Sequence, residues 1–437
     1  MIHGQHSIAD FRETARRRLP RFVFDFIDGG SGTENTLAEN RTALDRVRLV
    51  GSAPTDISSC SQSVSLFGQR YDRPIIIGPT GLAGAAWPCG DVDLARAASA
   101  HNIPFVMSTA ATATMEAVAA AGNGAKWFQL YIFKDRAVSK RLVAKARDLG
   151  FGALEVTVDN AIPGRRLRDA KNGFSLPFRW SPAKLASLAA HPGWSLRTAR
   201  AGPPRLEVMA AELGLEKADT IAELMQAQLD PSVDWEDIKW VRDAWDGPLV
   251  VKGMLDPGQV AKALEIGVDG LVISNHGGRQ LDGAIATIDI LPEFRAECGS
   301  RLTLLVDSGF RTGSDIARAL CLGADAVQVG RATLYALACG GEESVSHALS
   351  ILGSELNVAQ MLMGARTVKD FDQSMVRCRL APENPEPTAT AAAAPRQSGH
   401  LSTAAENTHG ALPYPAPQAS RKREFQASSK TNSERII

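Results

Sequence analysis

The 437 residues carry 48 basic and 48 acidic side chains, with 44% hydrophobic and 22% charged content, which is ordinary for a water-exposed globular chain. This balance excludes the basic footprint of a nucleic-acid binder, and no window approaches the roughly 18 unbroken apolar residues of a spanning helix. The six cysteines are scattered, without CxxC or Cys/His spacing, which predicts reduced thiols, a cytosolic environment and no metal site.

At the amino end, Met1 to Ser7 lacks a basic stretch followed by an apolar core, so no secretion signal is expected. Residues 7 to about 45 read as amphipathic helices, with Ser7 as an N-cap and Gly29-Gly30-Ser31-Gly32 as a break. Residues 1–70 are expected to form a helical segment packing on the main domain. From Ile75 onward, short apolar runs alternate with helical patterns: Ile75–Ile77, Pro104–Met107, Trp127–Leu130, Ala153–Val158, Leu249–Val251, Leu271–Ile273, Leu302–Val306 and Ala326–Val329. Eight such units predict an α/β fold, a (β/α)8 TIM barrel over 71–375. A doubly wound sheet is the alternative, weakened because no GxGxxG turn follows the first strand.

One connection is too long for this rhythm. About 90 residues separate Asp159 from Leu249, against roughly 20 to 25 for its neighbours, so an insert is expected at about 171–231. It carries Phe174, Phe178, Trp180 and Trp194 among Arg179, Lys184, Arg197, Arg200 and Arg205, a mixture suited to a membrane interface. A lid or a subunit contact has a similar composition. After about Leu380 the chain turns rich in Pro, Ala, Ser and Thr, and 380–437 is expected to be a disordered tail.

In such a barrel the carboxyl ends of the strands meet at one mouth. Read in order, those ends supply Pro79-Thr80-Gly81, Ser108, Gln129 with Tyr131, Thr157 with Asp159 and then Arg166, Lys252, Ser274-Asn275-His276 with Arg279, Asp307-Ser308-Gly309-Phe310-Arg311, and Gly330-Arg331. The last two have the form of glycine and arginine entering helices, where backbone N–H groups and two guanidinium groups suit a phosphate. With Lys252 across the mouth to stabilise negative charge on a reduced ring, the cofactor expected is flavin mononucleotide. A phosphorylated sugar substrate is the competing interpretation. His276, one of eight histidines, is the candidate base, with Asp159 to orient it and raise its basicity.

The stretch Ser274 to Asp282 resembles the active-site signature of the FMN-dependent alpha-hydroxy acid oxidases and dehydrogenases, and the resemblance runs from about residue 7 to 375. Within that family Pro79-Thr80-Gly81-Leu82 with Trp87-Pro88, His191-Pro192 with Trp194-Ser195-Leu196, and Asp307 to Arg311 are most similar to (S)-mandelate dehydrogenases. The resemblance implies that Pro79, Thr80, Gly81, Ser108, Gln129, Thr157, Lys252, Ser274 and Asp307 hold the ring and ribityl parts of FMN. It assigns Ser308, Gly309, Arg311, Gly330 and Arg331 to the phosphate, and Tyr131, Arg166 and Arg279 to the substrate, with His276 taking the proton. It further implies a homotetramer, electron transfer to a quinone-type acceptor, and peripheral membrane attachment through the insert, on the inner face of the cytoplasmic membrane. Phe26 departs from the family pattern, which places a tyrosine there to donate to the substrate carboxylate.

These readings predict oxidation of an (S)-alpha-hydroxy acid, mandelate or a similar aryl or bulky acid, to the alpha-keto acid. An L-lactate dehydrogenase or an oxygen-using glycolate-type oxidase is the alternative within the class, and a flavin-binding protein without turnover the alternative outside it. Gly81, where many oxidases of the family have alanine, favours a dehydrogenase.

Overall fold

The computed structural model describes residues 4–173, 181–213 and 229–378. The expected disordered tail, and Phe174, Phe178, Arg179 and Trp180 of the insert, lie outside the described residues.

Each of the eight apolar runs forms a parallel strand: β1 Ile75–Ile77, β2 Phe105–Ser108, β3 Lys126–Leu130, β4 Ala153–Thr157, β5 Leu249–Met254, β6 Gly270–Ile273, β7 Thr303–Val306 and β8 Ala326–Val329. They close on themselves in chain order, β8 pairing with β1, so the fold is a (β/α)8 barrel and the doubly wound sheet is overturned. Side chains alternate across each strand, so every second residue enters the lumen. Ile76, Val106, Trp127, Ala153, Val250, Val272, Leu305 and Ala326 form one buried layer there, closed by Leu66 and Tyr71 of a small hairpin. Two residues further along the strands stand Ser108, Gln129, Glu155, Lys252, Ser274, Asp307 and Gln328. The lumen is therefore apolar below and polar at the mouth.

Ahead of the barrel come α1 Ile8–Arg18, α2 Arg21–Asp28 and α3 Asn35–Arg46. The Ser7 side chain caps α1 by accepting from the Asp10 N–H, as predicted. The structure adds a break at Leu19-Pro20 that the sequence reading missed; proline lacks the N–H to continue α1 and starts α2. Phe11, Ala15, Leu19, Val23 and Ile27 are buried, so this segment packs as part of the core. Its polar anchor is Asp28, which accepts from Arg12 at 2.6 and 2.9 Å, from Arg168 at 3.0 Å and from the Tyr335 hydroxyl at 2.7 Å. Burial works against this carboxylate, but those donors outweigh it and bring its pKa down to about 2.

The described part of the insert holds helices Pro182–Ala190, Pro192–Ala201 and Glu207–Leu213. Trp194 does not sit at a surface: its indole N–H donates to the Ala85 carbonyl at 2.8 Å and its ring meets Phe22 edge to face. Leu185 and Leu196 remain 54% and 57% exposed. No described helix is long and apolar enough to cross a membrane.

Candidate active site

The barrel mouth opens into a cavity of about 630 Å³, within the usual range for a small-molecule site. On one side it is bounded by Pro79, Thr80 and Gly81 at the end of β1. Beneath them Ser108 Oγ donates to Gln129 Oε1 at 3.1 Å, and the Thr109 N–H uses the same oxygen at 3.2 Å. This leaves Gln129 Nε2 buried without a partner, as are Thr80 Oγ1 and Thr157 Oγ1. A buried polar atom left unpaired costs about 1–3 kcal/mol, so three of them around one mouth fit a ligand rich in ring heteroatoms. Lys252 completes this side, with Nζ donating to Ser274 Oγ at 2.6 Å and paired with Asp307. Burial disfavours the ammonium, yet Asp307, Glu155 and Asp159 outweigh it and raise its pKa. The lysine therefore holds a fixed positive charge in a dry place.

At the far side the loops after β7 and β8 approach each other. Gly309 has φ 102°, and a Cβ there would lie 3.0 Å from the Asn40 carbonyl oxygen, so only glycine suits this turn. Ser308 Oγ donates to Asp307 and accepts the Gly277 N–H at 3.0 Å. Arg311 bonds the Phe310 carbonyl at 2.7 Å and stacks over Tyr335. Arg331 lines the same cavity. Its guanidinium donates to the carbonyls of Ile27, Gly277 and Gly29 at 3.0, 2.8 and 2.8 Å, because the end of α2 docks against it. An anion here would meet Arg311, the main-chain N–H groups after Gly330, which begin a helical stretch, and the buried guanidinium of Arg331 on the same cavity wall.

The chemistry facing these groups is carried by β4, β6 and α2. After β6, His276, Gly277 and Gly278 take φ of 57°, 65° and 72°, three left-handed residues in succession. Ser274 Oγ accepts the His276 N–H at 3.0 Å and so links the histidine to Lys252. His276 Nδ1 lies 3.0 Å from Asp159 Oδ1 at the end of β4. Burial opposes the charge of Asp159, but His276 and then Lys252 outweigh it and lower its pKa, so it stays a carboxylate. It keeps a proton on Nδ1 and leaves Nε2 to accept one.

Arg279 and Arg166 both lie over the Phe26 ring, with guanidinium carbons 5.0 and 5.9 Å from its centroid. Arg279 Nη1 also donates to the carbonyls of Phe26 and Gly29 at 2.7 and 3.0 Å. Burial, then repulsion from Arg166 and Arg331, depresses Arg279 well below its ordinary range. Three crowded cations in a dry cavity fit an anionic ligand. Tyr131 lines the same space, and burial followed by Asp159 pushes its phenol up to about 12, which keeps the hydroxyl proton available.

The structure thus brings Phe26, Pro79, Thr80, Gly81, Tyr131 and Arg166 to the cavity wall, along with Lys252, His276, Arg279 and the segments Asp307 to Arg311 and Gly330-Arg331. Ser108, Gln129, Thr157, Asp159 and Ser274 stand behind that wall. Sequence reasoning missed Leu206 and Leu229, which the insert returns to the cavity, and Asp169, which lines it 3.9 Å from Arg166. It also missed Glu155 and Gln328, although counting back two residues from Thr157 along β4 would have placed Glu155 in the lumen.

Against known proteins, residues 15–378 match the family model of the FMN-dependent dehydrogenases. An L-lactate dehydrogenase of Caulobacter vibrioides is 43% identical over 378 residues, covering 86% of this chain and 98% of the relative. The crystal structure of the monotopic membrane protein (S)-mandelate dehydrogenase superimposes with a TM-score of 0.84 at 38% identity, covering 86% of this chain and all of the other. A mandelate oxidase solved with (S)-4-hydroxymandelic acid gives 0.73 at 36% identity, over 86% and 99% of the two chains. The polar mouth, its unsatisfied ring-side atoms and the His276–Asp159 pair agree with these likenesses: the chain belongs to the FMN-dependent dehydrogenases, enzymes of alpha-hydroxy acid oxidation that use FMN as cofactor.

Proposed function

We propose that the protein oxidises an (S)-alpha-hydroxy acid bearing an aryl or other bulky apolar group, mandelate or a close analogue, to the alpha-keto acid. The observation that carries this reading is that Arg166, Arg279 and the Phe26 ring they lie over face the same cavity as His276. The two guanidinium groups hold the carboxylate, and Tyr131 donates its phenol proton to the same end of the substrate. Phe26, Leu206 and Leu229 give the acid's side chain an apolar wall. His276 Nε2 takes the substrate proton, and Asp159 stabilises the resulting imidazolium. FMN, when bound, accepts the two electrons; Thr80, Gly81, Gln129, Thr157 and Lys252 would hold its ring and Ser308, Gly309 and Arg311 its phosphate.

Gly81 supports a quinone-type acceptor over oxygen. Exposed Leu185 and Leu196 on the insert, together with the monotopic membrane neighbour, support peripheral membrane contact through this segment. A second reading, L-lactate as substrate, is favoured by the 43% identical lactate dehydrogenase.

The test is anaerobic mixing of the FMN-loaded protein with (S)-mandelate and with L-lactate, following the visible flavin absorbance. Faster bleaching by mandelate is expected. Faster bleaching by lactate would replace the aryl assignment with the second reading, and bound flavin that neither acid nor a wider panel reduces would refute turnover.

A further inference from the structure

The polar layer of the barrel contains one acid that the reaction above leaves unused. Glu155 lies in the middle of β4, fully buried, between Leu154 and Val156, which face the helices. Its Oε2 accepts from Gln328 Nε2 at 2.5 Å. β4 and β8 are opposite strands of the closed barrel, so this bond crosses the lumen, and only inward-pointing side chains could make it. Oε1 has no partner, nor has Gln328 Oε1. In the strand register Glu155 pairs with Val250, and Lys252 is the next inward residue along β5.

We infer that Glu155 is a positioning residue for the flavin-dependent reaction, a buried carboxyl that acts through Lys252 to set the charge beneath the ring side of the cavity. The inference rests on the family cofactor occupying the Lys252 side and is independent of which hydroxy acid is oxidised. An apolar barrel needs no acid at this height, and a carboxyl with one oxygen unpartnered is poorly fixed as a purely structural element. Burial lifts its pKa to about 7, against the pull of Lys252 and Gln328; Asp307 and Asp159 push the same way as burial. These are the charged groups that act on it most strongly, Lys252 from β5, Asp307 after β7 and Asp159 after β4. Near neutrality the acid therefore exchanges its proton with solvent. Reduction adds negative charge to the ring, which an ionised Glu155 opposes and a protonated Glu155 does not. Glu155 thereby couples the ease of flavin reduction to pH.

The experiment measures the reduction potential of FMN bound to the intact protein, by dithionite titration beside reference dyes with absorbance readout, from about pH 6 to about pH 9. Dithionite supplies the two electrons and solvent the proton, so no hydroxy acid is needed and failure of the substrate assignment leaves the result intact. In the unaltered protein the potential is expected to fall more steeply with pH above about 7. Glu155→Gln should match it at the acid end, exceed it at the alkaline end and lose the extra slope. Gln328→Met removes a bond that favours the ionised acid, so the change of slope should move to higher pH; this variant decides the matter if Glu155→Gln fails to fold. Superimposable curves, or an offset equal at every pH, would overturn the inference.

Discussion

Replacing Asp159 with asparagine keeps the shape of the side chain and removes its charge. The carboxylate lies just after β4, 3.0 Å from His276 Nδ1, and its second oxygen is buried without a partner. A hydrogen bond to a charged group in such a place is worth about 1.5–3 kcal/mol, and an imidazole gains that stabilisation only as it takes up a proton. The expected result is flavin reduction slowed on the order of 10- to 100-fold, at about 1.4 kcal/mol per tenfold. The assay is anaerobic stopped-flow bleaching of bound FMN at saturating hydroxy acid. A companion variant separates charge from placement. Gly253 has φ 102°, and a Cβ there would lie 2.7 Å from Asp159 Cβ and Cγ, so Gly253→Ala should displace an intact carboxylate and slow the same step. Retained FMN with reduction at the unaltered rate in Asp159→Asn would refute the assignment of this pair as the oriented base.

Phe26→Tyr adds a hydroxyl to the ring that Arg166 and Arg279 lie over, and the KM for L-lactate should fall on the order of 10-fold, read from steady-state rates with a dye acceptor; an unchanged KM would show that the hydroxyl does not reach the carboxylate. Asp28→Asn should cost about 2 kcal/mol at neutral pH, from a carboxyl pKa brought from 3.8 to about 2, measured by urea unfolding. Because the folded-state pKa is depressed, the stabilisation is present above pH 3.8 and disappears as the pH falls through about 2, so the difference between the two proteins should shrink over that interval. Leu185→Glu with Leu196→Glu should weaken sedimentation with anionic lipid vesicles several-fold while leaving flavin reduction intact, since both side chains point away from the core at 54% and 57% exposure. Equal sedimentation would remove this face as the contact.

The barrel was legible because a parallel strand buried on both faces must be a short apolar run, and nothing else in the chain repeats that pattern eight times. The strand ends were legible for the same reason: a polar residue two steps past an inward apolar one faces the mouth. What escaped depends on how distant segments dock. The Arg331 guanidinium binds carbonyls of Ile27, Gly29 and Gly277, partners that no strand-end reading names and that only the packing of α2 brings within reach. Trp194 had the composition of an interface residue but is covered by the Ala85 carbonyl and Phe22. Leu206 and Leu229 lie on a long connection with no periodic pattern to say which way it folds back.

Phe26, Leu206 and Leu229 share a further property: none belongs to a barrel strand. They come from the leading helices and from the insert, whereas the groups assigned to the flavin ring and its phosphate stand on or just after the eight strands. Selection acting on the outer pieces can therefore change which acid is accepted without disturbing the redox machinery. Lineages of one ancestor would diverge in diet while keeping the same engine, and the substrate of any one of them is written mainly in the leading helices and the insert.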